Sequence, residues 1–280
     1  MNFNRYLCQE FIETEVGCSD PAQLQLFKEQ IKSYSLPADK VALLSEAIVI
    51  DATDVFYKSS ISFLEALYSL KRGHSSWAIV KLYYSVFYSL RAHLLLNGFA
   101  PVKNGKGEIY LIKCETNAVP VRISTSSVKG DHKTTIKAFG DLFSTHRLNT
   151  NKIDSYNIFE WAMQCRELVN YRNSSFIEPE YGYEAIPGLA ADCSQIDHLL
   201  KQYVTDEYYT YCFDKEHSLL STATVLLNED VLLFRESNIQ FISEDRLLVM
   251  KQLLRKTRLS ESDILNGLFC VESDVIVLES

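Results

Sequence analysis

Glycine and proline are scarce in this chain, at 10 and 6 of 280 residues. So few turn formers favour long helices over a β architecture built from many tight turns. The seven cysteines (Cys8, Cys18, Cys114, Cys165, Cys193, Cys212, Cys270) are scattered and never stand in C-x-x-C spacing. That argues against a disulfide framework or a zinc knuckle and for free thiols in a reducing cytosol. Basic residues are in deficit, with 28 Lys and Arg against 36 Asp and Glu, a formal charge of −8. A general nucleic-acid binder, whose affinity rests on neutralising phosphates, does not carry that balance. Long hydrophobic runs are missing too. The most apolar stretch, Trp77 to Leu96, is interrupted by Lys81, Arg91 and His93, so no membrane span is expected. The opening "MNFNRYLCQEF" has no charged segment followed by an apolar run, and no signal peptide is expected. These absences together predict a soluble, cytoplasmic protein.

What is present is a core. Apolar residues make up 47% of the chain and charged residues 23%, enough for one large domain or a core domain with appendages. Residues 20–50 read as two helical pieces, the first with Asp20 as N-cap and Pro21 at the first helical position. A one-sided helix follows over 52–70. Then "WAIVKLYYSVFYSLRAHLLLNGF" repeats Val80, Tyr83, Phe87, Leu90 and Leu94 at steps of three and four. It is apolar nearly all round, which predicts the centre of a bundle or a subunit interface. Ser75 or Ser76 is its expected cap. The paired aromatics Tyr83, Tyr84, Phe87 and Tyr88 suit either core packing or a self-association surface.

Residues 108–126 change character. "EIYLIKC" and "VPVRISTSS" around "ETNAVP" predict a β-hairpin inserted between helices, at about 102–130. Helices resume at "HKTTIKAFGDLF", over 153–172 and over 189–205. Residues 216–280 read as a small α+β appendage: two short strands in "TVLLNEDVLLF", a helix capped by Ser243, a second short helix, and a last strand in "DVIVLES". Its six basic residues against eleven acidic ones suit partner docking better than DNA reading. The expected division is a helical extension (1–44), a helical bundle (45–215) and a C-terminal subdomain (216–280).

The chemistry-bearing stretch is "CRELVNYRNSSF", residues 165–176. At about 100° per residue, Asn170 lies about 40° from Arg166 and Asn173 about 20° to its other side, on one polar face of a continuing helix. Helix physics alone makes these residues partners for free carbonyls at a helix end. A local basic segment precedes them: residues 102–137 hold seven Lys and Arg, including Lys103, Lys106, Lys129 and Lys133, against three acids.

The order of an aromatic-rich helix, a loop, "GDHKTTIKAF" and a helix ending in Arg-x-x-x-x-Tyr ("RELVNY") resembles the HEPN superfamily of prokaryotic helical domains, over about residues 45–205. The resemblance implies an up-and-down bundle of four to five helices, often dimeric. Its implied settings are toxin–antitoxin pairs, antiviral defence and RNA processing, with a partner protein encoded alongside. Active members are metal-independent ribonucleases with an Arg-x4–6-His motif. The arginine stabilises the pentavalent phosphate and the histidine exchanges a proton. Counted from Arg166, the histidine positions hold Tyr171, Arg172 and Asn173, none of which exchanges protons readily near neutral pH.

His132 in "GDHKTT" is the candidate replacement, with capping or loop duty as its alternative. The expected catalytic group is therefore Arg166, Tyr171 and His132. Asn170, Arg172, Asn173, Lys103, Lys106, Lys129 and Lys133 are the expected binding residues. Neither cofactor nor metal is expected, since no histidine shows ligand spacing. "NGKGEIY" lacks the Lys-Ser/Thr of a phosphate loop, which leaves Gly105 and Gly107 as turn residues. The resemblance and the missing histidine together imply an oligomeric interaction or sensing subunit of a defence or toxin–antitoxin system with a decayed nuclease motif. The alternative is a ribonuclease acting on RNA through Arg166.

Overall fold

The computed structural model describes residues 5–178, 186 and 193–269. They form a mainly α fold with ten α-helices and two small antiparallel sheets. The centre is a pair of long helices, α3 (Val41–Lys71) and α4 (Ser75–Leu96), joined by a short turn in which Gly73 takes φ +75°. Around α4 pack α5 (Asp131–Leu142), α6 (Ile158–Glu167) and α8 (Ser218–Glu236), while α1 (Leu7–Glu15) and α9 (Glu244–Thr257) lie on α3. The short α2 (Lys28–Ser33), α7 (Cys193–Thr205) and α10 (Asp263–Phe269) complete the set. Buried apolar side chains from Cys8 to Phe269 form one continuous core, so all three expected segments contribute to it.

Two helix starts are secured by distant carboxylates. Tyr6 offers α1 no capping side chain. Instead Asp51 of α3, 2% exposed, accepts from the Leu7 N–H at 2.8 Å and the Cys8 N–H at 2.9 Å. At α4, neither Ser75 nor Ser76 acts as the expected cap. Glu178 accepts from the Ser76 N–H and hydroxyl, both at 2.6 Å. Carboxylates suit these places because a helix start presents free N–H groups and partial positive charge. The local caps read from sequence at Asp20 and Ser243 are both formed.

The expected hairpin is present as β2 (Ile109–Lys113) and β3 (Val121–Arg122), in register Tyr110↔Arg122. A third strand, β1 (Phe99–Lys103), pairs with β2 on its other side. Gly105, in the β1–β2 turn at φ +77°, lies so close to the 22–27 segment that an added Cβ would stand 2.6 Å from the Gln25 nitrogen. Residues 153–157, read as helix, instead belong to a small hairpin of β4 (Lys152–Ile153) and β5 (Tyr156–Asn157). Asn157 then opens α6 with a capping box: its Oδ1 accepts from the Phe159 and Glu160 N–H groups, and Glu160 reaches back.

The C-terminal part corrects the sequence expectation. "TVLLNEDVLLF" is not two strands but the interior of α8, and the described part of 216–280 holds three helices and no strand. Neighbours on several sides allow α8 to be apolar almost all round. A continuous apolar run cannot distinguish a buried strand from a buried helix by period. Asp230 within it is fully buried and bonds His93 of α4 (Oδ1 to Nδ1, 3.3 Å). His93 is thus a bundle residue, as expected. The strand expected in "DVIVLES" lies outside the described residues.

Candidate functional site

The site is built on one row of α4. Residues four apart share a helix face, and Tyr83, Phe87 and Arg91 stand in that relation. α5 delivers His132 to this row from its first turn. The imidazole stacks on Phe87, with ring centroids 4.1 Å apart, and its Nδ1 lies 2.6 Å from the Tyr83 hydroxyl. Tyr84 meets the same ring edge-on at 5.9 Å.

α6 delivers Arg166 to the other side of Tyr83. Its guanidinium carbon lies 4.9 Å from the Tyr83 ring centroid and 5.6 Å from that of Tyr171. On an α-helix, residues five apart diverge by about 140°. Tyr171 comes alongside because residues Leu168–Arg172 form a π-helix turn, which widens the helix by about one residue per turn. Beyond it Asn173 is extended (φ −77°, ψ 136°), so the continuous polar face expected of Arg166, Asn170 and Asn173 is not formed. Asn170 and Asn173 are exposed. Arg172 folds back onto Gln164 (2.8 Å) and Glu167 (3.3 Å).

Arg166 is unusual in what it lacks. It makes no hydrogen bond among the described residues, and its Nε is buried without a partner. The nearest carboxylate is the adjacent Glu167, at 3.7 Å, beyond hydrogen-bond reach. A mostly buried guanidinium with unfilled donors is costly unless an acceptor arrives.

Burial lowers the pKa of His132, and the positive charges of Arg166 and Arg91 add to that, against the opposing pull of Asp131. The imidazole is therefore neutral near pH 7. Burial pushes the Tyr83 phenol upward, so it keeps its proton. A hydroxyl can donate to or accept from Nδ1, and Tyr83 orients the ring in either tautomer. With Nδ1 protonated, Nε2 offers a lone pair as a base.

No protein-family model, curated protein or solved structure matches the chain. The reading of the site therefore rests on its own geometry. The structure brings Arg166 and His132 together on Tyr83, which sequence reasoning placed only in an apolar stripe, and sets Tyr171 beside Arg166. Of the expected basic residues, Lys103 pairs with Asp131 at 2.8 Å, beside His132. Lys129 and Lys133 are exposed at the start of α5, and Lys106 is exposed in the β1–β2 turn. Tyr83 and Phe87 are buried and Tyr84 and Tyr88 partly so, and Tyr83, Tyr84 and Phe87 form the wall around His132. Among the described residues no cluster of three or more His, Cys, Asp or Glu is placed to hold a metal ion, and no helix is long and apolar enough to cross a membrane.

Proposed function

We propose that the chain is a HEPN-like, metal-independent ribonuclease of a prokaryotic defence or toxin–antitoxin system, with His132 in place of the histidine that its motif lacks. The observation that carries this reading is the meeting of Arg166 and His132 on Tyr83, with the Nε of Arg166 buried and unpartnered. Arg166 binds the scissile phosphate and stabilises the added charge of its pentavalent state. His132 Nε2 takes the proton of the 2′-hydroxyl as its oxygen attacks phosphorus. The bond from phosphorus to the 5′-oxygen breaks, and the exposed Tyr171 hydroxyl supplies the proton to that oxygen. The products are a 2′,3′-cyclic phosphate and a 5′-hydroxyl. Exposed Lys129 and Lys133 flank the path of the strand. Tyr83 is a positioning residue.

The test is incubation with labelled tRNA and single-stranded RNA in the presence of chelator, beside Arg166→Ala and His132→Gln proteins shown to be folded. Cleavage by the wild type that both variants lose supports the reading. Cleavage that survives either substitution overturns it.

A second reading is an interaction or sensing subunit, dimeric and bound to a protein encoded beside it. Its support is the state of the original motif positions: Arg172 is tied back and Asn173 leaves the helix. Folded protein that binds RNA or a partner through Arg166 without cutting favours this second reading.

A further inference from the structure

One turn beyond Phe87, α4 carries a second buried guanidinium. Arg91 is 8% exposed and makes no hydrogen bond among the described residues, with its Nε buried and unpartnered. The nearest carboxylate is Asp131, 3.8 Å away, and Asp131 is already bonded to Lys103 at 2.8 Å. The guanidinium carbon of Arg91 also lies 4.7 Å from the centroid of the Tyr6 ring. The Nε of Arg91 is thus a buried donor without an acceptor, in a setting where an unfilled donor is expensive.

Arg91 lines a cavity of about 360 Å³ between the start of α1, α3, α4, the sheet and α5. That volume falls in the range of small-molecule sites, about 300–1,000 Å³. Four cations line it (Arg5, Lys58, Arg91, Lys103) against two carboxylates (Asp54, Asp131). Both carboxylates are engaged, Asp131 by Lys103 and Asp54 by Arg246. Arg5 is spent on Glu13 at 2.6 Å. Lys58 reaches only the Tyr6 hydroxyl, at 3.3 Å, and has no carboxylate partner among the described residues. Two cations with no carboxylate in hydrogen-bond reach, Lys58 and Arg91, thus lie against one tyrosine ring, at 4.9 and 4.7 Å from its centroid. Tyr6, Pro101 and Ile109 add apolar wall. Such a lining fits a doubly charged anion carried on an organic body. A phosphate monoester, at about −1.5 to −2 near pH 7, has that charge, and a guanidinium fork matches its oxygens.

We propose that this cavity binds a small organic phosphate, its phosphoryl group held by Arg91 and Lys58 and its body against Tyr6, Pro101 and Ile109. The site is distinct from the Arg166 cluster and does not rest on the ribonuclease reading. Phe87 stands between the two, stacked on His132 at 4.1 Å and 5.9 Å from the Arg91 guanidinium carbon.

The experiment is calorimetric and NMR titration of the full chain with adenosine monophosphate, inorganic phosphate, adenosine and a 5′-phosphorylated oligonucleotide. Saturable binding of adenosine monophosphate is expected, with inorganic phosphate weaker and adenosine inert. Lys58→Gln, a change at an exposed position, and Arg91→Lys, which keeps the charge and removes the fork, each weaken binding about tenfold or more, the loss of a charge-assisted hydrogen bond. Arg166→Ala leaves it unchanged. Absence of saturable binding for both the mononucleotide and inorganic phosphate overturns the proposal. So does binding that neither Lys58→Gln nor Arg91→Lys weakens, and so does binding confined to the oligonucleotide, which would make the cavity part of a nucleic-acid track.

Discussion

Arg166 and Tyr171 are five residues apart, yet the guanidinium carbon of one lies 5.6 Å from the ring centroid of the other. The π-helix turn over Leu168–Arg172 is what makes them neighbours. Tyr171→Ala removes the exposed ring from beside Arg166. RNA cleavage should fall about tenfold or more, the scale of a lost charge-assisted contact. The thermal transition should stay close to that of the wild type, because no core side chain is removed. Full activity in a folded Tyr171→Ala protein would dissociate Tyr171 from the site.

His132 sets a pH expectation. Its pKa is held below the ordinary value of about 6.5 by burial and by the nearby arginines. Acting as a base, it stays competent below that value, and the acid limb of cleavage lies lower than for a free histidine. Arg166→Ala removes one of the lowering charges, so the His132 titration followed by NMR moves upward. Stability follows the same sign. The unfolded chain binds this proton first, so the contribution of His132 is complete above about 6.5 and declines as pH falls toward the folded value. A His132 titration at or above the ordinary value in wild type would contradict this.

Tyr83→Phe separates orientation from packing. The ring stays in the core and only the bond to His132 Nδ1 is lost. A stability cost of about 0.5–1.5 kcal/mol is expected, together with a reduced maximal cleavage rate and little change in RNA affinity. Chemical denaturation and the split of kcat from KM check the two parts.

The buried pair of His93 and Asp230 titrates in the opposite sense to His132. Burial disfavours the His93 charge, but the Asp230 hydrogen bond and charge outweigh it and raise the pKa. Stability from His93 is therefore present below the unfolded value and lost as pH rises through the folded one. Asp230→Ala leaves the buried imidazole without its hydrogen bond and should cost about 1–3 kcal/mol at pH 6. The deficit relative to wild type should narrow toward pH 9. Denaturant midpoints across that range measure it, and a constant deficit would remove His93 as the titrating group.

Asp51→Ala should free the start of α1, whose first two N–H groups it accepts. Loss of a helix cap costs about 0.5–2 kcal/mol, and proteolysis within the first fifteen residues should quicken. Because Arg5 and Tyr6 line the Arg91 cavity, the same substitution should weaken binding of adenosine monophosphate there. Unchanged proteolysis and stability would show that α1 is held by its apolar contacts alone.

Period and local signals in the sequence determined most of the helices. The stripe of α4, the caps at Asp20 and Ser243 and the β2–β3 hairpin all depend on residues close together in the chain. The apolar density of α4 also foretold its central place. Where burial surrounds an element, that signal fades, and α8 was read as strands for this reason. The stripe likewise hid the part that Tyr83 plays, since a buried tyrosine that orients a histidine has the same spacing as one that only fills the core.

Only the tertiary structure decided the site. Arg166 and His132 were separately visible as residues able to carry charge and protons, but their meeting on Tyr83 depends on how α5 and α6 dock against α4. Arg91 was visible only as an interruption of an apolar run, and its unfilled donor follows from Asp131 being engaged by Lys103. The carboxylates that start α1 and α4, Asp51 and Glu178, come from far along the chain. Local propensity acts over a few residues, whereas a site is a set of distances between elements, and packing alone sets those distances.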